Sequence, residues 1–295
     1  MSGGGPSPRP LGKHEEAVDR FYASGIRRDW SFIETLEDRF EGYLNFGYWE
    51  AGARGYLQAA KDLISLLIAE SGIREPRRIL NVCCGYGSET FRFFRELRPR
   101  SIVGVDITEV NIHYAQRRAA ALGLGAVIQF LRADAVSLPY PDASFSAVIG
   151  IEGMTNMRTR ERFLVEAFRL LEPGGALALA DIVLGRRYDP SRPIAARLVR
   201  FAARRWHVPR ENWVDAETYR SQLESCGFPA PVIRPIGASV FPGYARDRRS
   251  LGTLGASIRE RGPFTAMGLA IISVLLGYLS RRGLIDYLLI TARKA

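Results

Sequence analysis

Apolar runs at residues 79–84, 101–105, 127–132, 145–151 and 176–184 recur through the middle of the chain, with helix-patterned stretches at 88–97, 109–122 and 160–171 among them. Runs this short and this uniformly apolar suit strands buried on both faces, with helices carrying the chain back to the same sheet edge. The pattern predicts an α/β fold, a parallel sheet made of right-handed βαβ units. Residues 232–241 and 284–291 read as two further strands. Pro173-Gly174-Gly175 stops the helix before the fifth strand, and Asp215 is placed to cap a helix that ends near Gly227.

Residues 13–73 read instead as a helical N-terminal cap, interrupted by the aromatic loop Tyr43-Leu44-Asn45-Phe46-Gly47-Tyr48-Trp49. The first twelve residues, rich in Gly, Pro and Ser, read as a disordered tail and not as a signal peptide. Residues 74–295 form the α/β domain, with helical insertions at about 186–214 and 243–281. Within the second insertion, residues 264–279 carry no charge. They are shorter than the ~20 residues a bilayer span needs, so they read as a buried or substrate-lining helix. Peripheral membrane contact is the lesser reading, and no stable span is expected.

The three cysteines, Cys83, Cys84 and Cys226, make no disulfide framework, and with only three histidines (His14, His113, His207) no metal-ligand spacing occurs, so no metal is expected. A reduced, cytoplasmic setting follows. The formal charge is +10, from 41 Lys and Arg against 31 Asp and Glu. An Arg-dominated excess suits an anion grip as readily as nucleic acid, so the charge alone selects no partner.

Chemistry concentrates where the first strand turns into a helix. Gly85 and Gly87 let the backbone approach a ligand there, beside the free N–H groups of the helix start. Asp106 closes the second strand nineteen residues past Gly87, where a carboxylate can accept both hydrogen bonds of a ribose diol. Asp134 closes the third strand and could accept from an adenine amino group. Three such positions at successive strand ends mark the carboxyl edge where open α/β sheets bind ligands.

On these residues the sequence resembles the class I S-adenosylmethionine-dependent methyltransferases, in the small-molecule branch that acts on sterols, quinones, sugars and polyketides. The resemblance extends over residues 44–293 and also rests on Phe145-Ser146-Ala147-Val148-Ile149, Leu171-Glu172-Pro173-Gly174-Gly175 and the 44–49 segment. It implies a Rossmann-like seven-stranded sheet of order 3-2-1-4-5-7-6 with strand seven antiparallel, roofed by helical lids. It implies S-adenosyl-L-methionine as cofactor. Asn81, Cys83, Gly85 and Gly87 would serve its methionine part, Asp106 its ribose, and Asp134 with Ala135 its adenine, with Ile107 also contacting the cofactor. Asn111 and Ile151 stand where relatives contact the cofactor, and Tyr22, Tyr48 and Trp49 could face the sulfonium.

Two departures from the family pattern bear on activity. Asn81 and Cys83 replace an acid and a glycine in the turn, which weakens one polar contact but keeps the close approach at Gly85 and Gly87. Asn156 stands four residues after Glu152, where O-methylating relatives often carry a general-base His. An amide takes no proton at neutral pH, though it can orient a hydroxyl or enol. The candidate catalytic residues are therefore Asp181, Glu152 and Asn156. Methyl transfer is an in-line displacement, so placement of the nucleophile in a dry pocket carries most of the catalysis. Acidic enols and phenols need the least help.

The expected enzyme methylates a small hydrophobic or amphiphilic natural-product or lipid-like acceptor, in secondary metabolism such as antibiotic biosynthesis, with oxygen favoured. Alternatives are a C-methyltransferase acting on an isoprenoid or polyketide carbon, and a cyclase that keeps the fold but transfers no methyl. An RNA methyltransferase is less favoured, because no Asn/Asp-Pro-Pro-aromatic tetrad follows the fourth strand, and no nucleic-acid partner is expected. The first insertion carries Arg186, Arg187, Arg192, Arg197, Arg200, Arg204, Arg205 and Arg210. These read as a solvated face, or else as a lid gripping an anionic group on the acceptor.

Overall fold

The computed structural model describes residues 10–24, 42–50 and 52–295. Strands β1 (Arg78–Val82), β2 (Ser101–Asp106), β3 (Ile128–Arg132), β4 (Phe145–Ile151), β5 (Leu171–Leu184), β6 (Val232–Pro235) and β7 (Ile285–Arg293) form one sheet, in the order β3-β2-β1-β4-β5-β7-β6. The first five run parallel; β7 is antiparallel to both β5 and β6. This is the expected Rossmann-like methyltransferase order.

Side-chain alternation divides the sheet between two cores. Ile79, Ile102, Ala147 and Ala178 face one, filled from α2 (Tyr56–Ser71), α3 (Ser88–Leu97) and α4 (Glu109–Ala121) by Leu63, Phe93 and Ala115. Leu80, Val103, Val148 and Leu177 face the other, filled from α5 (Arg160–Leu170) and α7 (Ala216–Ser225) by Phe163, Tyr219 and Leu223. Each such fully buried Leu or Phe contributes roughly 1.5–3 kcal/mol. Asp215 caps α7 by accepting from the Thr218 N–H at 2.9 Å, the role its position suggests.

Two boundaries differ from expectation. β5 begins at Leu171, because Phe145 pairs with Leu171 and the ladder resumes only at Ala147–Ala176, with Glu172 to Gly175 looping out between. The run at 232–241 divides: β6 stops at Pro235, and α8 (Gly237–Arg248) follows. Gly237 makes that switch, since a Cβ there would lie 2.5 Å from Asp286 Oδ1.

Four helices roof the sheet's carboxyl edge: α1 (Lys13–Ser24), α6 (Pro193–Arg205), α8 and α10 (Pro263–Arg281), with α9 (Leu251–Arg261) joining the last two. α10 packs closely on α8, where a Cβ on Gly277 would sit 3.0 Å from the Ala245 Cβ.

Candidate active site

The glycine turn after β1 takes left-handed backbone at alternate residues, with φ of 53° at Cys83, 50° at Gly85 and 81° at Gly87. It is tied to β2 through one carboxylate: Asp106 Oδ2 accepts from the Gly85 N–H at 2.9 Å and Oδ1 from the Thr108 N–H at 2.8 Å. The next strand is drawn to the same point, with the Ala133 N–H on the Asp106 carbonyl at 3.1 Å. Asp134 Oδ1 accepts from the Val136 N–H at 3.2 Å, which ends β3 in a turn.

Around this edge lies a cavity of about 1020 Å³, counting its solvent-open part. Of the residues expected to hold cofactor, Cys83, Gly85, Asp106 and Ile107 line it, as do Asn111, Asp134, Ala135, Ile151 and Tyr22. Asn111 Oδ1 is buried without a hydrogen-bond partner. An orphaned acceptor of this kind, beside two strand-end carboxylates, fits a ligand rich in N–H and O–H donors, as an adenosyl group is. Burial pushes the Asp106 carboxyl upward, against the opposing N–H bonds from Thr108 and Gly85.

Four expected cofactor residues lie elsewhere. Asn81 is fully buried beneath the cavity, its Nδ2 donating to the Ile149 carbonyl and its Oδ1 accepting from Thr90. Gly87 serves packing: a Cβ there would lie 2.6 Å from Phe130 Cζ. Tyr48 sits at the surface and donates to Glu50. Trp49 is pinned to α8, its backbone N–H on the Ser239 carbonyl at 2.8 Å and its ring against Gly243. The aromatic loop instead sends Leu44 and Asn45 to this cavity.

The cavity also contains His14, Thr108 and Glu89, which sequence reasoning missed. His14 and Tyr22 share a helical face with Val18, a spacing legible in the sequence. Glu89 was not legible: burial lifts its carboxyl to about 7, and Asn45 Nδ2 donates to it at 2.9 Å.

A second cavity, of about 1080 Å³, adjoins the first, and Tyr22, Leu44, Glu152 and Asn156 line both. Its walls are mainly apolar: Phe46 from the loop, Val199, Ala202 and Trp206 from α6 and its end, and Leu269, Ile272 and Leu276 from α10. Among the described residues no Lys or Arg lines it, so the arginines of the first insertion do not form an anion-gripping lid over this chamber. Residues 264–279 thus lie in α10, which lines this chamber through Leu269, Ile272 and Leu276.

Glu152 stands at the junction. Its φ of 63° is unusual for a residue with a side chain, and its N–H is held on the Ala180 carbonyl at 2.7 Å. Oε1 accepts from the Phe46 N–H at 2.7 Å and from the Tyr287 hydroxyl at 2.8 Å. Withdrawal from bulk water raises the carboxyl to about 8.

The other two catalytic candidates are engaged differently. Asn156 Oδ1 accepts from the Tyr22 hydroxyl at 3.1 Å, its Nδ2 donates to the Trp206 carbonyl, and its own carbonyl bonds His14 Nε2 at 2.8 Å. The amide expected to orient a substrate hydroxyl instead joins the roof to β4. Asp181 is corrected outright: it lines neither cavity. It shares the strand face of Leu177 and Leu179, fully buried, with Arg160 Nε at 2.9 Å and the Tyr219 hydroxyl at 3.2 Å.

Comparison with known proteins matches this arrangement. Residues 79–175 match the methyltransferase domain family. The chain is 34% identical over 213 residues to erythromycin 3''-O-methyltransferase of Saccharopolyspora erythraea, covering 71% of this chain and 70% of that one. Other curated relatives match over stretches of 144 to 242 residues, from 50% to 82% of their own length. In fold, the geranyl diphosphate C-methyltransferase of Streptomyces coelicolor superposes with a TM-score of 0.76 at 16% identity, over 98% of this chain and 100% of that one. The [4+2]-cyclase SpnF superposes at 0.71 and 22%, over 98% and 99%. The sheet order, the donor-seeking cavity at its carboxyl edge and the sequence identity agree: the chain belongs to the class I S-adenosylmethionine-dependent methyltransferases.

Proposed function

We propose that this enzyme methylates a hydroxyl, enol or phenol oxygen on an uncharged, largely apolar natural product, with Glu152 receiving the proton. The observation that carries the reading is the position of Glu152, on the boundary of a polar cavity and an apolar one, with a carboxyl raised to about 8. S-adenosylmethionine, when bound, supplies an electrophilic methyl group. Asp106, Asp134 and Asn111 would hold its adenosyl part, and Glu89 and Asn45 lie in the same cavity.

The protein's own share of the chemistry is placement and proton handling. Both hydrogen bonds to Glu152 converge on Oε1, which leaves Oε2 to accept from an acceptor hydroxyl. A base whose pKa lies near the working pH transfers protons efficiently and contributes typically 10²–10⁴-fold. Apolar walls exclude water and select greasy acceptors over free sugars. The absence of Lys and Arg from the described chamber lining disfavours a diphosphate or carboxylate acceptor. Similarity to an erythromycin 3''-O-methyltransferase supports antibiotic-type secondary metabolism as the setting.

The test is product analysis: purified protein, labelled methyl donor and a panel of hydroxylated macrolides, phenols, enols, isoprenoids and tRNA. A new O–CH₃ signal on an apolar acceptor is expected. Label on carbon, label in tRNA, or cyclisation without label would each overturn the reading.

A further inference from the structure

The two helices that roof the apolar chamber each turn a second face outward. On α10, opposite Leu269, Ile272 and Leu276, the side chains of Phe264, Met267 and Ile271 are 92%, 52% and 61% exposed, and Val274 and Tyr278 continue the stripe. Steps of three and four residues keep these five on one side of the helix. On α6, opposite Val199 and Ala202, Ile194 and Phe201 are 76% and 57% exposed, with Arg197, Arg200, Arg204 and Arg205 exposed among them. Residues 190–209 contain five arginines and no acid, and residues 262–285 contain two arginines and no acid.

An exposed apolar stripe set beside concentrated positive charge restricts what can cover it. A second copy docked face to face would set the arginines of one α6 against those of the other, which repels. An anionic bilayer satisfies both features, with headgroups neutralising the arginines and the apolar side chains entering the acyl boundary. α10 has the length and apolar composition to cross a membrane. Its inner face, however, is buried on Ala266, Ala270, Ile272, Ser273 and Leu276, which suits a helix lying along a surface.

We infer that the outer faces of α6 and α10 form a docking surface for an anionic lipid bilayer, with α10 lying in the interface. Docked this way, the roof of the acceptor chamber meets the phase in which an apolar acceptor concentrates. That last step rests on the acceptor reading above, whereas the docking itself does not.

The test is flotation of the full chain with vesicles of phosphatidylcholine alone and of phosphatidylcholine mixed with phosphatidylglycerol, at low and high salt, with neither donor nor acceptor present. Binding to the anionic vesicles, weakened by salt, is expected. Each arginine near the surface adds about fivefold to partitioning, so Arg197→Glu with Arg200→Glu should weaken it by well over about tenfold. Met267→Asp with Ile271→Asp should abolish it. Calorimetric donor binding checks the folding of each variant, and Phe264→Asp, at the exposed start of α10, replaces any that fails. No vesicle binding by the parent chain, binding indifferent to lipid charge, or binding retained by both variants would overturn the proposal. So would a self-associating chain that the same variants make monomeric and that never binds vesicles. Failure of the acceptor chemistry leaves this measurement unchanged, because no acceptor is in it.

Discussion

The Tyr287 hydroxyl on β7 donates to Glu152 Oε1 at 2.8 Å, joining residues 135 apart in sequence. The bond stabilises the carboxylate and opposes the upward push of burial. A carboxyl at the end of β4, the proposed proton acceptor, is thus tuned by a side chain on the antiparallel strand two places away in the sheet.

The pH dependence follows from that pair. Glu152 accepts a proton only when ionised, so kcat/KM rises with pH and levels off above about 8. Tyr287→Phe removes the hydrogen bond that lowers the pKa, and the rising limb moves to higher pH. A pH–rate profile of the two proteins checks this, and an unmoved limb would sever Tyr287 from the titration.

Glu152→Gln keeps the hydrogen-bond acceptor for Phe46 and Tyr287 but loses the base. A fall of about 10²–10⁴-fold in kcat is expected for weakly acidic acceptors, and a smaller fall for phenols and enols. Donor affinity, measured by calorimetry, should change little. Equal losses on every acceptor would point to positioning rather than proton transfer.

Asp106 and Asp181 should separate cleanly. Asp106→Ala unties the glycine turn from β2 and removes a cavity carboxylate, so donor binding is lost. Asp181→Ala leaves Arg160 buried with no carboxylate partner, at a cost of about 3–5 kcal/mol in stability. Denaturant unfolding of the second variant should show that loss, while its surviving folded fraction binds donor normally.

Glu89 predicts a stability trend. Its carboxyl is raised from 4.5 to about 7, so the folded state binds more protons than the unfolded state between those values. The Glu89 contribution to the stability of the donor-free protein therefore falls as pH rises through that window and is level above it, a loss of about 3 kcal/mol, while Glu152 extends the fall to about pH 8. Glu89→Gln should make the fall shallower and leave the part that Glu152 contributes, as thermal unfolding across pH 5 to 8 will show. A slope unchanged in the variant assigns the effect to another acid.

The sheet and the cavity at its carboxyl edge were legible in the sequence because both are written in local signals. Short apolar runs bounded by helices dictate a parallel sheet, and the turn through Gly85 with Asp106 and Asp134 marks strand ends that the fold must bring together. The two-core alternation explains what was misread at Asp181: residue type suggested a catalytic acid, but strand parity turned it toward Arg160 and Tyr219. Tyr48 and Trp49 were misread for a related reason, since an aromatic loop does not reveal which of its rings a distant helix will claim.

By itself, then, the sequence determined the sheet, the strand-end residues that line the cavity at its carboxyl edge, and the presence of a roof. Tertiary structure alone decided which residues the roof lowers into the site. Asn156 became a tie for Tyr22 and Trp206, and Glu152 was lifted to about 8 by burial and held by Phe46 and Tyr287. Desolvation and long-range hydrogen bonds arise only when distant segments pack, and no local pattern in the chain records them.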